Sequence, residues 1–142
     1  MGFTFLHIAD VHLDTPFQTK KKELRFFLRE AIRATFQAAV DLALSKGVDA
    51  VLIAGDLFDN NTLSFATERF ILEQMQKLNE AHIAVFYAPG NHDPSGSMNR
   101  LGSMKWPENV KIFHKRIPVT YPVYNREGHI VAMVSGAGHE HN

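Results

Sequence analysis

Val51-Leu52-Ile53-Ala54-Gly55-Asp56-Leu57-Phe58-Asp59 is the stretch whose reading decides the fold. It starts as a short apolar run rich in β-branched residues, the pattern of a buried strand. It breaks into glycine and then a carboxylate, so Asp56 falls at the strand's carboxyl end. In open α/β sheets ligands bind at that end. The same grammar recurs on either side. Phe3-Thr4-Phe5-Leu6-His7-Ile8-Ala9 runs into Asp10-Val11-His12, and Ile83-Ala84-Val85-Phe86-Tyr87-Ala88 runs into Pro89-Gly90-Asn91-His92-Asp93. Three parallel neighbours of this kind would deliver carboxylate, imidazole and amide groups along one rim.

The segments between these strands read as helices. Leu24, Leu28, Ile32, Phe36, Val40 and Ala43 recur at three- and four-residue steps, which predicts a helix over about Lys22–Lys46 with Gly47 as its C-cap. A second helix, capped by Ser64, runs to about Glu80 with Phe70, Ile71, Met75 and Leu78 inward. The order β-α-β-α-β, with right-handed crossovers, makes the three strands parallel. Pro94–Ser97 reads as loop, and Met98–Trp106 as short and irregular. Strand candidates follow at Val110–Phe113, Ile117–Tyr121 and Ile130–Val134, with a turn over Asn125–Gly128. These are expected to begin a second sheet. Trp106, the phenylalanines and His7 are expected in the core. His82 and His114 read as surface or strand-edge residues, and His129 as a strand start.

With 142 residues the chain is long enough for one domain with a real core. It has no cysteine, which excludes disulfides, thiolate metal sites and cysteine nucleophiles. No run is apolar enough to span a membrane, and the N-terminus shows no signal-peptide pattern; a cytoplasmic location is expected. The formal net charge is zero. Attraction to DNA would therefore rest on metal ions and local basic patches. Lys20-Lys21-Lys22 is a small basic run that reads first as a solvated helix start, with contact to a phosphate backbone as the lesser alternative.

Asp10, His12, Asp56, Asn91 and His92 form the candidate site. Carboxylate, imidazole and amide oxygen together suit manganese, iron or zinc. One aspartate can bridge two ions, and two ions about 3.5–4 Å apart can hold a phosphate ester and an attacking hydroxide at once. A histidine beside the ligands could then supply the leaving group's proton. Each motif alone has a plain reading: a loop pair for Asp10-x-His12, a tight turn for Gly55-Asp56, a Gly-Asn turn for Gly90–Asp93. Their recurrence at successive strand exits makes those readings poor.

Asp-x-His, Gly-Asp-x-x-Asp and Gly-Asn-His-Asp in series resemble the calcineurin-like metallophosphoesterases. Leu6–Asp14, Ala54–Asp59 and Tyr87–Asp93 narrow the resemblance to the DNA repair exonuclease branch of SbcD and YhaO type, over nearly the whole chain. The resemblance implies an α/β/β/α sandwich and two divalent ions, with Mn2+ favoured and Fe or Zn as alternatives. Asp10, His12, Asp56 and Asn91 would be metal ligands, with Asp56 bridging. His92 would be the general acid, oriented by Asp59. The reaction implied is phosphodiester hydrolysis of DNA by a two-metal-activated hydroxide. An SbcC-like ATPase partner and a homodimer are also implied. The other readings are a small-molecule or nucleotide phosphoesterase and a non-catalytic docking fragment.

The family closes its site with a further histidine and a Gly-His-x-His motif. Gly138-His139-Glu140-His141 has those letters but reads as a frayed or solvent-facing tail. His114 and His129 do not follow buried strands. Residues 1–142 are therefore expected to be one metallophosphoesterase domain truncated at its C-terminus. Its second sheet and metal site would be incomplete.

Overall fold

The computed structural model describes residues 2–95 and 100–139. The apolar runs form β1 (Phe5–Ile8), β2 (Ala50–Ala54) and β3 (Ala84–Ala88), all parallel, joined by α1 (Lys22–Lys46) and α2 (Phe65–Glu80). α1 ends where Gly47 takes the left-handed conformation, at φ 59° and ψ 45°, a geometry that costs glycine little. α2 begins where the Ser64 hydroxyl accepts from Thr67 N–H at 3.2 Å. A four-residue helix, α3 (Arg100–Ser103), follows within the stretch expected to be irregular.

β4 (Val110–Ile112) corrects one expectation. It does not begin a second sheet but adds parallel to β3, giving the order β1-β2-β3-β4. The second sheet is the antiparallel pair β5 (Val119–Tyr124) and β6 (Ile130–Gly136), turning through Asn125–Gly128.

Side chains on a strand alternate between faces, and the first sheet uses both. Val51, Ile53, Val85 and Tyr87 pack against Phe36 and Val40 of α1 and Ile71, Met75 and Leu78 of α2. Ala50 and Phe86 face the other way, against Phe113, Val123 and Tyr121. The molecule thus has a helix layer, a parallel sheet and a second sheet, which is an α/β fragment of the expected sandwich. Fully burying each large apolar side chain is worth about 1.5–3 kcal/mol.

Several expected core residues lie outside. Phe26, Phe27 and Phe65 are exposed, as are Phe5 and Leu24. His7 is exposed too, because β1 is an edge strand. Trp106 is partly buried against the core and donates its indole N–H to Leu101 O at 3.0 Å. His82 and His114 are exposed, as expected, and His129, also exposed, directly precedes β6.

Candidate metal centre

The three strand exits are stitched together by backbone hydrogen bonds. Past β1 and β2 the two loops keep running in parallel: Asp10 N–H donates to Gly55 O (3.2 Å), His12 N–H to Asp56 O (2.9 Å) and Leu13 N–H to Leu57 O (3.0 Å). The third loop joins through Gly55 N–H to Ala88 O (2.8 Å) and Asn60 N–H to His92 O (3.0 Å). The sheet therefore continues beyond its strands as a rim, and the chemistry-bearing residues sit on it.

The rim is held in an uncommon backbone. Asp10, His12, Asp14 and Asp56 all have positive φ, between 50° and 63°. Such residues cost of order 1–3 kcal/mol each and persist where the surroundings over-determine them. Alternate left-handed residues turn the side chains of Asp10 and His12 out of a strand-like alternation, next to Asp56.

One ligand atom each from Asp10, His12 and Asp56 lies within 4.8 Å of the others. His12 Nε2 is 3.9 Å from Asp56 Oδ2. Asp56 is buried, His12 half-buried and Asp10 exposed, so the cluster opens to solvent on one side. Two carboxylates and an imidazole that converge this closely fit a divalent cation by the chemistry of the donor set. Asn91 is exposed on the β3 exit loop, next to His92. His92 Nδ1 faces Asp59 Oδ2 at 3.6 Å, and its ring meets that of His12 edge-on with centroids 5.0 Å apart.

Three residues behind the rim were not among the candidate site residues. Asp93 is fully buried; its carboxylate accepts from Asp56 N–H (3.1 Å), Leu57 N–H (2.6 Å), Gly90 N–H (2.6 Å) and the Tyr87 hydroxyl. Tyr87 is fully buried as well; burial first, then the Asp93 charge, hold its hydroxyl well above the usual tyrosine range, so it stays a proton donor. Asp14 accepts from Ser64 N–H at 2.7 Å and lies 3.6 Å from Arg33. Burial opposes its ionisation. The bonds from Ser64 and Thr67 and the Arg33 charge outweigh that and hold the carboxyl below its usual range. The only sequence signal for Asp93 was its place as the fourth letter of the third motif.

His139 is a correction. Its backbone is tied rather than frayed: His139 N–H donates to Pro89 O (3.0 Å), Ser95 N–H to His139 O (3.0 Å) and Gly138 N–H to Lys115 O (2.8 Å). His139 is half-buried beside the third exit loop, yet it is not a member of the Asp10–His12–Asp56 cluster. His141, Gly96, Ser97 and Met98 lie outside the described residues. A groove of about 680 Å³ opens between the free edge of β1 and α1. It reaches Asp10, but its walls, including Phe17, Leu28, Ile32 and Phe36, are mostly apolar.

The fold and the rim together define an α/β domain with a candidate divalent-cation centre. Residues 3–136 match the calcineurin-like phosphoesterases, and the chain belongs to that family. It is 34% identical over 140 residues to YhaO, an uncharacterised metallophosphoesterase of Bacillus subtilis (strain 168), covering 96% of this chain and 34% of that protein. It is 39% identical over 89 residues to the DNA double-strand break repair protein Mre11 of Aeropyrum pernix, covering 62% of this chain and 20% of that one. The Mre11 of Sulfurisphaera tokodaii is 32% identical over 88 residues, covering 62% and 21%. The chain thus spans about a third or less of the length of these relatives. Among the described residues no helix is long and apolar enough to cross a membrane.

Proposed function

We propose that the chain carries a metal-dependent phosphodiesterase site acting on DNA ends. The observation that carries this reading is the convergence of Asp10, His12 and Asp56 within 4.8 Å, with the His92–Asp59 pair beside them. The likeness to Mre11 proteins supports DNA as the substrate class. Asp10, His12, Asp56 and Asn91 would hold divalent ions, Mn2+ first and Fe or Zn as alternatives. Bound there, such ions would supply an activated water and neutralise charge on the phosphate.

The remaining roles belong to the chain's own side chains. Asp56 presents one oxygen to His92 N–H at 2.9 Å and turns the other toward His12. It is therefore fixed by the third loop and open to the cluster. Asp59 faces His92 Nδ1 and would hold a proton there, leaving Nε2 to move a proton at the leaving oxygen. An SbcC-like ATPase partner and a homodimer belong to the same reading, as does a cytoplasmic location. The test is hydrolysis of linear double-stranded DNA, closed circular DNA and a chromogenic phosphodiester with manganese present. Loss of linear DNA alone supports action at ends. Turnover of the chromogenic ester without DNA cleavage would move the substrate to small molecules. Inactivity on all three, with or without manganese, would overturn the reading for this chain.

A further inference from the structure

We propose that Tyr87 and Asp93 are a buried positioning pair that sets Asp56 and Asn91 before any cation arrives. The inference rests on reading Asp10, His12 and Asp56 as a cation site, and concerns what stands behind it.

Asp93 is fully buried, yet among the described residues no Lys, Arg or His pairs with it. Its charge is held by dipoles alone: three backbone N–H groups and the Tyr87 hydroxyl. A buried carboxylate is costly to desolvate, so a fold that keeps one uses it or compensates for it fully. The donors are specific. Asp56 N–H belongs to the candidate bridging residue, Leu57 N–H to the next residue, and Gly90 N–H to the residue before Asn91. One carboxylate thus pins the second and third exit loops to each other at the ligand positions.

Two further observations point the same way. Asp56 stands at a φ of 50°, a strained conformation that needs outside support. Gly90 approaches so closely that a Cβ there would collide with the Asp56 carboxylate and backbone nitrogen. Asp93 gathers the N–H groups of both loops at this point of closest approach, beside the bonds that join them through Ala88 O and His92. Tyr87 completes the arrangement from β3. Its ring is locked edge-on against Trp106 with centroids 5.9 Å apart, so its hydroxyl is aimed by packing. Neither residue reaches the cluster itself; both act through Asp56 and the Gly90–Asn91 backbone.

The test is a manganese titration of the parent, Tyr87→Phe and Asp93→Asn, read by the electron paramagnetic resonance of free and bound manganese. Melting of each metal-free protein is followed alongside. Val85→Ala, on the same strand and fully buried but outside the network, serves as a control for lost stability. Removing groups that orient a ligand typically weakens metal binding by about 10–100-fold. That loss is expected for Asp93→Asn, and a several-fold loss for Tyr87→Phe, with Val85→Ala binding as the parent does. Variants that melt lower, as Val85→Ala does, but bind manganese with parental affinity would overturn the inference alone. If Asp93→Asn does not fold, Tyr87→Phe decides, since it keeps the ring and removes only the hydroxyl. A parent that binds no manganese would overturn the cation-site reading and this inference with it.

Discussion

His92 and Asp56 show how single side chains divide the work on the rim. Nδ1 of His92 faces Asp59 at 3.6 Å, while its backbone N–H is spent on Asp56 Oδ1. The imidazole is thus anchored through its main chain, and among the described residues no hydrogen bond or ion pair engages Nε2. His92→Ala should lower the rate constant for phosphodiester cleavage by roughly 10²–10⁴-fold, the usual contribution of a general acid. Bound manganese, measured by elemental analysis after dialysis, should be unchanged. Loss of metal together with activity would instead place His92 among the ligands. Gly90→Ala is a different kind of change. The new methyl group would meet the Asp56 carboxylate and backbone nitrogen, and neither can retreat without moving a loop. Overpacking of this sort costs about 1–3 kcal/mol. Urea unfolding should register that loss, and the displaced Asp56 should weaken manganese binding in the same variant. A Gly90→Ala protein with parental stability and affinity would show that the two loops are looser than their contact implies.

Among the elements, α2 is tied to the first exit loop through one carboxylate. Asp14 accepts from Ser64, the residue that caps α2, and pairs with Arg33 of α1, which also bonds Thr67. Its carboxyl is held below the ordinary value of 3.8. A depressed folded-state pKa contributes stability that is fully present above the unfolded-state value, about 3.9, and is lost as pH falls through the folded-state value. Asp14→Asn should therefore lower stability at pH 7, by about 1–3 kcal/mol as a buried hydrogen-bond network is broken. It should also flatten the decline of melting temperature below about pH 4. An unchanged acid limb would remove Asp14 from that role. This link could not be read from sequence, where Asp14 and Ser64 lie in separate motifs. What was legible was local. α1 runs from Lys22 to Lys46 as its apolar steps and Gly47 indicate, and Ser64 caps α2. The residues named at the strand exits do share one rim. What was not legible depended on distant partners. Val110-Lys111-Ile112 is too short to reveal a period, and its sheet is set by Asn109 O accepting from Val85 N–H and Tyr87 O from Phe113 N–H. Phe26 and Phe27 carry a core residue's chemistry but face outward from α1. His139 looked like a loose end because its bonds to Pro89 and Ser95 bring together residues more than forty positions apart.

For the molecule as a whole, the decisive quantity is the charge gathered at one end of the parallel sheet. Among the described residues neither Asp10 nor Asp56 forms an ion pair with Lys or Arg, so the cluster holds two carboxylates with only His12 for company. The unfolded chain does not bring these groups together. A divalent ion that binds the folded protein alone should stabilise it by RT ln(1 + [L]/Kd), about 2.7 kcal/mol at a hundredfold excess over Kd. For a domain of this size that is a rise in Tm of roughly 5–12 °C. Manganese added in steps to metal-free protein should therefore raise Tm progressively, without a plateau near the first equivalent. Asp56→Ala should remove most of the dependence, because it takes away the buried carboxylate nearest His12. Asp49→Ala is the matched comparison: Asp49 precedes β2 and accepts from Thr4 N–H at 2.8 Å, at the opposite end of the same sheet. It should lower the starting Tm through that lost bond and leave the manganese response intact. If Asp49→Ala and Asp56→Ala flatten the response alike, the ion is bound diffusely by net charge. If the parent's melting curve does not move at all with manganese or zinc, the rim does not bind a divalent metal.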